Sequence, residues 1–185
     1  MESTAELNLI NQTLKGDRRA YRTLVELHHL NVFSLVMRIV QQRELAEEIA
    51  QDVFLKAFRS LQKFKGTSKF STWLYRIAYN EAVTSTRKKR FKFEELGEAH
   101  ASVQDGAFLF DGNVDVEEEQ MQLLETAVKG LKNEAQLLLG MYYQQDLSVK
   151  EISEITGESE SNVKVRLFRI RKQIQESVGA LAQQP

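Results

Sequence analysis

Cysteine is absent from this 185-residue chain, which removes disulfides, thiolate metal sites and thiol nucleophiles at once. Proline occurs once, at the last position, and glycine nine times. So few turn-formers, with no sustained period-two alternation, argue against a sheet protein. No run of about 18 apolar residues is present, so no membrane span is expected. The opening MESTAELNLI carries an early acid and lacks the basic-then-apolar order of a secretory signal. A cytoplasmic, all-helical protein is the expectation, and hydrophobic residues at 42% suffice for its core.

Groups that could do chemistry do not assemble into a constellation. His28 and His29 are adjacent, so on a helix they point about 100° apart and share a metal poorly. One is expected in the core and the other on the surface. His100 has no partner nearby in sequence, Glu47-Glu48 has the same angular problem as the histidines, and Glu117-Glu118-Glu119 reads as an acidic helix start. No enzyme activity, metal or cofactor is expected.

Charge, in contrast, is segregated. Residues 1–93 hold 17 Lys+Arg against 9 Asp+Glu, a net of +8. Residues 94–119 hold 9 acids and no base, and residues 120–185 hold 8 of each sign. A basic module, an acidic connector and a balanced module follow one another. Domains are accordingly expected at 1–93 and 117–185, joined by a flexible linker over 94–116. Phe108-Leu109-Phe110 is the linker's one apolar patch.

Periodicity places the helices. The first signal follows Gly16-Asp17, where Asp17 can cap a helix in which Tyr21, Leu24, Val25, His28, Val32, Leu35, Val36 and Ile39 recur at three- and four-residue steps. A second helix, from about Glu44 to Lys63, buries Leu45, Ile49, Val53, Ala57 and Leu61. Residues Phe64 to Lys69 read as a loop. A third helix starts near Ser71, buries Trp73, Leu74, Ile77 and Ala78, and ends in Arg87-Lys88-Lys89-Arg90. In the C-terminal module one helix carries Met121, Leu124 and Val128, and another Leu137, Leu138 and Met141.

The last two helices read as a helix-turn-helix. Ser148 caps Val149–Thr156, Gly157 makes the turn, and Ser159 or Ser161 caps the next helix, which buries Val163, Leu167, Ile170, Ile174 and Val178. Small Ser153 would let the two helices approach closely. The opposite face carries Ser161, Asn162, Lys164, Arg166, Arg169 and Arg171, suited to base edges at its start and to phosphates further on. In the N-terminal module, aromatic and basic residues interleave around one loop and helix: Phe64, Phe70, Trp73, Tyr75 and Tyr79 among Lys63, Lys65, Lys69, Arg76 and Arg87. Cations along a backbone with rings to stack on bases suit single-stranded nucleic acid. Trp73 and Phe70 are read as core, Tyr75 and Tyr79 as the stacking candidates.

AEEIAQDVFLKAFRSLQKF followed by FSTWLYRIAYNEAVTSTRKKR resembles region 2 of bacterial RNA polymerase sigma factors. DLSVKEISEITGESESNVKVRLFRIRKQI resembles their region 4. The order, the length and the acidic connector resemble the extracytoplasmic-function (ECF) group, over roughly residues 17–92 and 117–176. The resemblance implies a factor that binds core RNA polymerase and directs promoter-specific initiation. It implies that Glu48, Gln51, Asp52, Phe54 and Leu55 dock on the clamp coiled coil of the largest subunit, with the polymerase flap as a further contact. Lys63, Lys65, Lys69, Arg76, Tyr79 and Asn80 would capture the melted −10 element, and Arg87, Lys88 and Arg90 the phosphates upstream. Ser161, Asn162, Lys164, Arg166, Arg169 and Arg171 would read the −35 duplex, and an anti-sigma factor is an expected partner. Two positions depart from the family's common pattern: Thr84 stands where an aspartate is common, and LKNEAQ from Leu131 replaces a proline-led opening of region 4. They bear on the −10-proximal helix and on how the first region 4 helix starts. The alternative reading is a stand-alone helix-turn-helix regulator of duplex DNA, for which the aromatic loop and the acid-rich helix have no use.

Overall fold

The computed structural model describes residues 4–96 and 118–182, and among them every regular element is helical. They form two compact units. The first is built on α1 (Thr4–Leu14), α2 (Arg18–Val40), α3 (Arg43–Ser60) and α4 (Phe70–Leu96), with a 3₁₀ turn at Leu61–Lys63. The second is built on α5 (Glu118–Lys129), α6 (Asn133–Leu139), α7 (Val149–Thr156) and α8 (Glu160–Leu181), with a π-helical turn at Gly140–Gln144 between α6 and α7. Most of the expected acidic linker, including the Phe108-Leu109-Phe110 patch, lies outside the described residues. Its first three residues, 94–96, continue α4.

Unit one centres on α2, against which α1, α3 and α4 all pack. By length and composition α2 could cross a membrane, but its apolar face is the core of this unit. Asp17 caps it as expected, its carboxylate accepting from the Arg19 amide at 2.8 Å. Leu24, Val32, Leu35 and Val36 meet Ala46, Val53 and Ala57 of α3 and Leu74, Ala78 and Ala82 of α4, all 1% exposed or less. Alanines at five of these and neighbouring buried positions, Ala50 included, keep α3 and α4 close enough to interlock. Lys56 and Glu81 pair across the rim of that contact. His28 is buried and His29 exposed, as their adjacency required.

Helix α1 is not announced by a long apolar period. Only Ile10 and Thr13 are buried in it, and its docking depends on a polar contact: Glu6 Oε1 lies 2.8 Å from His28 Nε2. A short helix of this kind gains its stability from tertiary packing rather than propensity.

The tyrosines depart from expectation. Tyr75 is 3% exposed and hydrogen-bonded to Asn31, and burial pushes its phenol up to about 12. It belongs to the core and is not a stacking candidate, because α4 turns it back toward α2 instead of outward. Tyr21, half-buried, donates to the Phe54 carbonyl and is likewise raised by burial to about 12. Between roughly pH 10 and 12 the unfolded chain therefore releases phenolic protons that the folded chain keeps, and stability falls as pH rises through that window. Tyr75→Phe should flatten this fall, measured as urea midpoints at stepped alkaline pH; an equally steep fall in the variant would contradict the burial assigned to Tyr75.

Candidate nucleic-acid interface

The Phe64–Lys69 segment is irregular, as expected, and is fastened at both ends. Phe64, Phe70 and Trp73 pack on one another with ring centroids 5.5–5.7 Å apart, and His28 meets Phe70 at 5.4 Å. Phe70 is fully buried and Trp73 half-buried. The trio is thus the anchor of the loop, and aromatic pairs of this geometry contribute about 0.5–1.5 kcal/mol each beyond area burial. Between the anchors Gly66 sits at φ 69°, a backbone that glycine adopts without strain. Lys63 and Lys65 are exposed and Lys69 is half-buried.

From this anchor α4 carries a second group of candidates. Arg76, Asn80 and Arg87 are exposed and Tyr79 is half-buried. Their steps of three, four and seven residues put them on the face opposite buried Leu74 and Ala78. Lys88 and Arg90 lie further along the same helix; their side chains fall outside the described residues. On α3, Glu48, Gln51, Asp52 and Leu55 share one exposed face at helical spacing. Phe54 does not join them: it is 7% exposed and packs inward, because the residue before Leu55 faces about 100° away. Leu55 and Phe58, 54% and 46% exposed, are the apolar part of that outer surface.

The helix-turn-helix of unit two forms as its residue types dictate. Ser148 caps α7 through a reciprocal pair with Glu151: its hydroxyl accepts from the Glu151 amide, whose carboxylate accepts from the Ser148 amide at 2.8 Å. Gly157 closes α7 at φ 77°, and a Cβ there would meet nothing within 4 Å, so conformation rather than space calls for glycine. Ser153, expected to ease close helix approach, instead donates from Oγ to the Glu158 carbonyl at 2.6 Å and ties the turn. Ser159 caps α8 by accepting from the Asn162 amide. Val163, Leu167 and Ile170 are buried; Ile174 and Val178 are only half-buried. Behind them α8 packs on α5 and α6.

The outward side of α8 differs from the sequence reading in three ways. Lys164 and Arg166, two residues apart, lie on opposite flanks, since two helical steps turn about 200°. The stripe midway between the flanks is Ser161, Val165, Phe168 and Lys172, and two of these are apolar, Val165 at 42% and Phe168 at 67% exposure. Neither was among the expected contacts, although Phe168, a large ring at a helical position opposite the core, is legible in the sequence. Two of the proposed cations are also engaged within the protein. Arg166 donates to Glu158, with Glu134 4.0 Å away. Arg171 donates from Nε to the Tyr143 hydroxyl at 2.8 Å and lies over the Tyr142 and Tyr143 rings at 5.3 and 5.6 Å. Lys164 and Arg169 are exposed and make no ion pair among the described residues.

Two family models match the chain: Sigma-70 region 2 over residues 24–92 and Sigma-70, region 4 over residues 121–174. The chain is 30% identical to the ECF RNA polymerase sigma-E factor of Escherichia coli, over 97% of both proteins. It is 30% identical to the ECF RNA polymerase sigma factor SigW of Bacillus subtilis, over 90% of this chain and 95% of that one. Among solved structures it is similar in fold to the sigma factor RpoE of Bartonella quintana, determined in complex with the anti-sigma factor NepR. That likeness has a TM-score of 0.67 and 21% identity, covering 86% of this chain and 96% of that one.

The π-helical turn and α8 are joined by the Arg171–tyrosine stack, which makes a testable distinction. Arg171→Ala should lower the thermal midpoint of unit two, by an amount matching the roughly 0.5–1 kcal/mol of an exposed cation–π contact, and leave base preference on duplex DNA unchanged. An unaltered midpoint with altered base preference would return Arg171 to the DNA face.

Proposed function

The chain belongs to the ECF sigma factors of RNA polymerase, and on that premise we propose how its residues divide the work of opening a promoter. The α3 face of Glu48, Gln51, Asp52 and Leu55 docks on the clamp coiled coil of the largest polymerase subunit, with Phe54 holding the helix from inside. The polymerase flap holds unit two over the −35 element. The Lys63–Lys69 loop and the α4 face of Arg76, Tyr79 and Asn80 take up the −10 bases once they leave the stack, while Arg87, Lys88 and Arg90 hold phosphates upstream. Helix α8 enters the major groove of the −35 duplex.

On α8 the contacts follow from chemistry. Lys164 and Arg169 supply cations for guanine edges or phosphates. Val165 and Phe168 offer apolar surface, which suits thymine methyl groups. Ser161 and Asn162 stand in the first turn, where groove-entering helices meet base edges. The factor carries out no bond-making step itself; it positions DNA for the polymerase, works in the cytoplasm where the polymerase is, and joins the nucleoid through it. An anti-sigma factor is the expected regulator, as in the Bartonella quintana complex.

The observation that carries this reading is the presence, in one chain, of a loop fastened by three aromatic rings beside a basic helix face and of a helix-turn-helix. A stand-alone duplex reader needs only the second. Stacking on an aromatic ring is worth roughly 1–3 kcal/mol per base, so Tyr79→Ala should slow open-complex formation about tenfold or more, read as permanganate reactivity of −10 thymines. Replacing Lys65–Lys69 with Gly/Ser should do the same, and both variants should still co-purify with core polymerase. Lys164→Ala should weaken transcription from −35-dependent promoters. Loss of co-purification in the loop variant, or full melting by Tyr79→Ala, would overturn the assignment of these surfaces.

A further inference from the structure

The recognition helix starts beside a carboxylate with both oxygens engaged. Glu158 lies between Gly157 and the Ser159 cap. It accepts from Asn162 Nδ2 at 2.6 Å through Oε2 and from Arg166 Nη1 through Oε1. Its backbone is fixed as well, by the hydrogen bond from Ser153 Oγ to its carbonyl. The side chain is 24% exposed and that of Arg166 30%, so this pair sits at the edge of the DNA-facing side, with its charge cancelled. A carboxylate so neutralised can stand near DNA without repelling phosphates.

Its effect on Asn162 is directional. A carboxylate only accepts, so it holds the NH₂ end of the amide and decides which way the group faces. One N–H is spent on Glu158, which leaves the carbonyl oxygen and the second N–H. That acceptor–donor fork complements the N6 donor and N7 acceptor of adenine in the major groove. Without the carboxylate the amide is free to turn over, and the match is lost for half its orientations.

We infer that Glu158 is a specificity-determining positioning residue: it locks the Asn162 amide so that α8 selects adenine at one −35 base pair. Arg166 then holds and neutralises Glu158 instead of reading a base. The inference rests on the proposed placement of α8 in the −35 duplex.

The test uses holoenzyme assembled from the full chain and core polymerase, transcribing a promoter library in which every −35 pair is randomised, with transcripts counted by sequencing. If the wild-type protein shows no base preference across −35, the placement of α8 fails and this inference with it. Given a preference, Glu158→Ala should reduce the choice of adenine at one pair by about twofold or more, the loss expected when an amide held in one orientation is freed to take two and must be ordered on binding, and leave the other pairs as they were. Asn162→Ala should lose the preference at that same pair, and the double variant should lose no more than Asn162→Ala alone. A smaller folded fraction scales output from all sequences equally, so it cannot produce a change at one pair. An unchanged preference in Glu158→Ala, an equal loss at every pair, or a change at a pair that Asn162→Ala leaves alone would each overturn the role given to Glu158 while leaving the −35 placement intact.

Discussion

A base lifted out of duplex DNA loses its stacking, a cost of a few kcal/mol, and the surface that receives it must be in place before the base arrives. The first unit meets that constraint with the Phe64, Phe70 and Trp73 rings. Phe70 is fully buried and Phe64 and Trp73 are half-buried; together they fasten both ends of the loop whose lysines, with the adjacent Tyr79 and Asn80, are proposed to receive the base. His28 closes the group from α2, and Glu6 holds His28 from α1. A chain of packed groups thus runs from the N-terminal helix to the loop proposed to capture the strand. Loop order is bought with burial rather than at the moment of melting, and the return from each captured base is correspondingly larger.

The second unit works under a different constraint: a short helix-turn-helix has few base contacts, so each must be well aimed. Two serine caps, the left-handed Gly157 and the Ser153–Glu158 hydrogen bond fix how α8 leaves the turn. The side chains on α8 are then sorted by what the fold asks of them. Arg171 stacks on two tyrosines and Arg166 pairs with Glu158. Lys164, Arg169 and the apolar Val165 and Phe168 remain outward. On the proposed reading each module alone makes a modest contact. Joined by a chain of some tens of residues, the two act with the advantage of raised local concentration, and core polymerase sets the spacing at which both can bind.

Much of this was readable in the sequence where local chemistry and global fold agree. Asp17, Ser148, Gly157 and Ser159 mark helix ends because capping and left-handed turns are decided within a few residues. The apolar steps of α2, α3 and α8 name their buried faces for the same reason. What stayed hidden depends on partners distant in sequence. Helix α1 is held by a glutamate that meets a histidine 22 residues away, and Tyr75 is drawn into the core beside Asn31. Arg171 finds tyrosines 28 and 29 residues earlier, in a π-helical turn that no periodicity announces. Arg166, expected among the −35-reading residues, meets a partner eight residues back, on the far side of the turn. Counting cations on a helical face overlooks such pairing, and it also passed over Phe168, whose value on that face is apolar.

The central claim is that one chain grips a promoter at two points and does so only with polymerase. It is tested most directly by run-off transcription from genomic DNA of the source organism with purified chain and core polymerase, followed by mapping of transcript 5′ ends. The account predicts a small set of starts that share two upstream sequence elements at one fixed spacing, and no transcription or tight DNA binding by either protein alone. Starts without a shared −35 element, or salt-resistant promoter binding by the chain without polymerase, would contradict it.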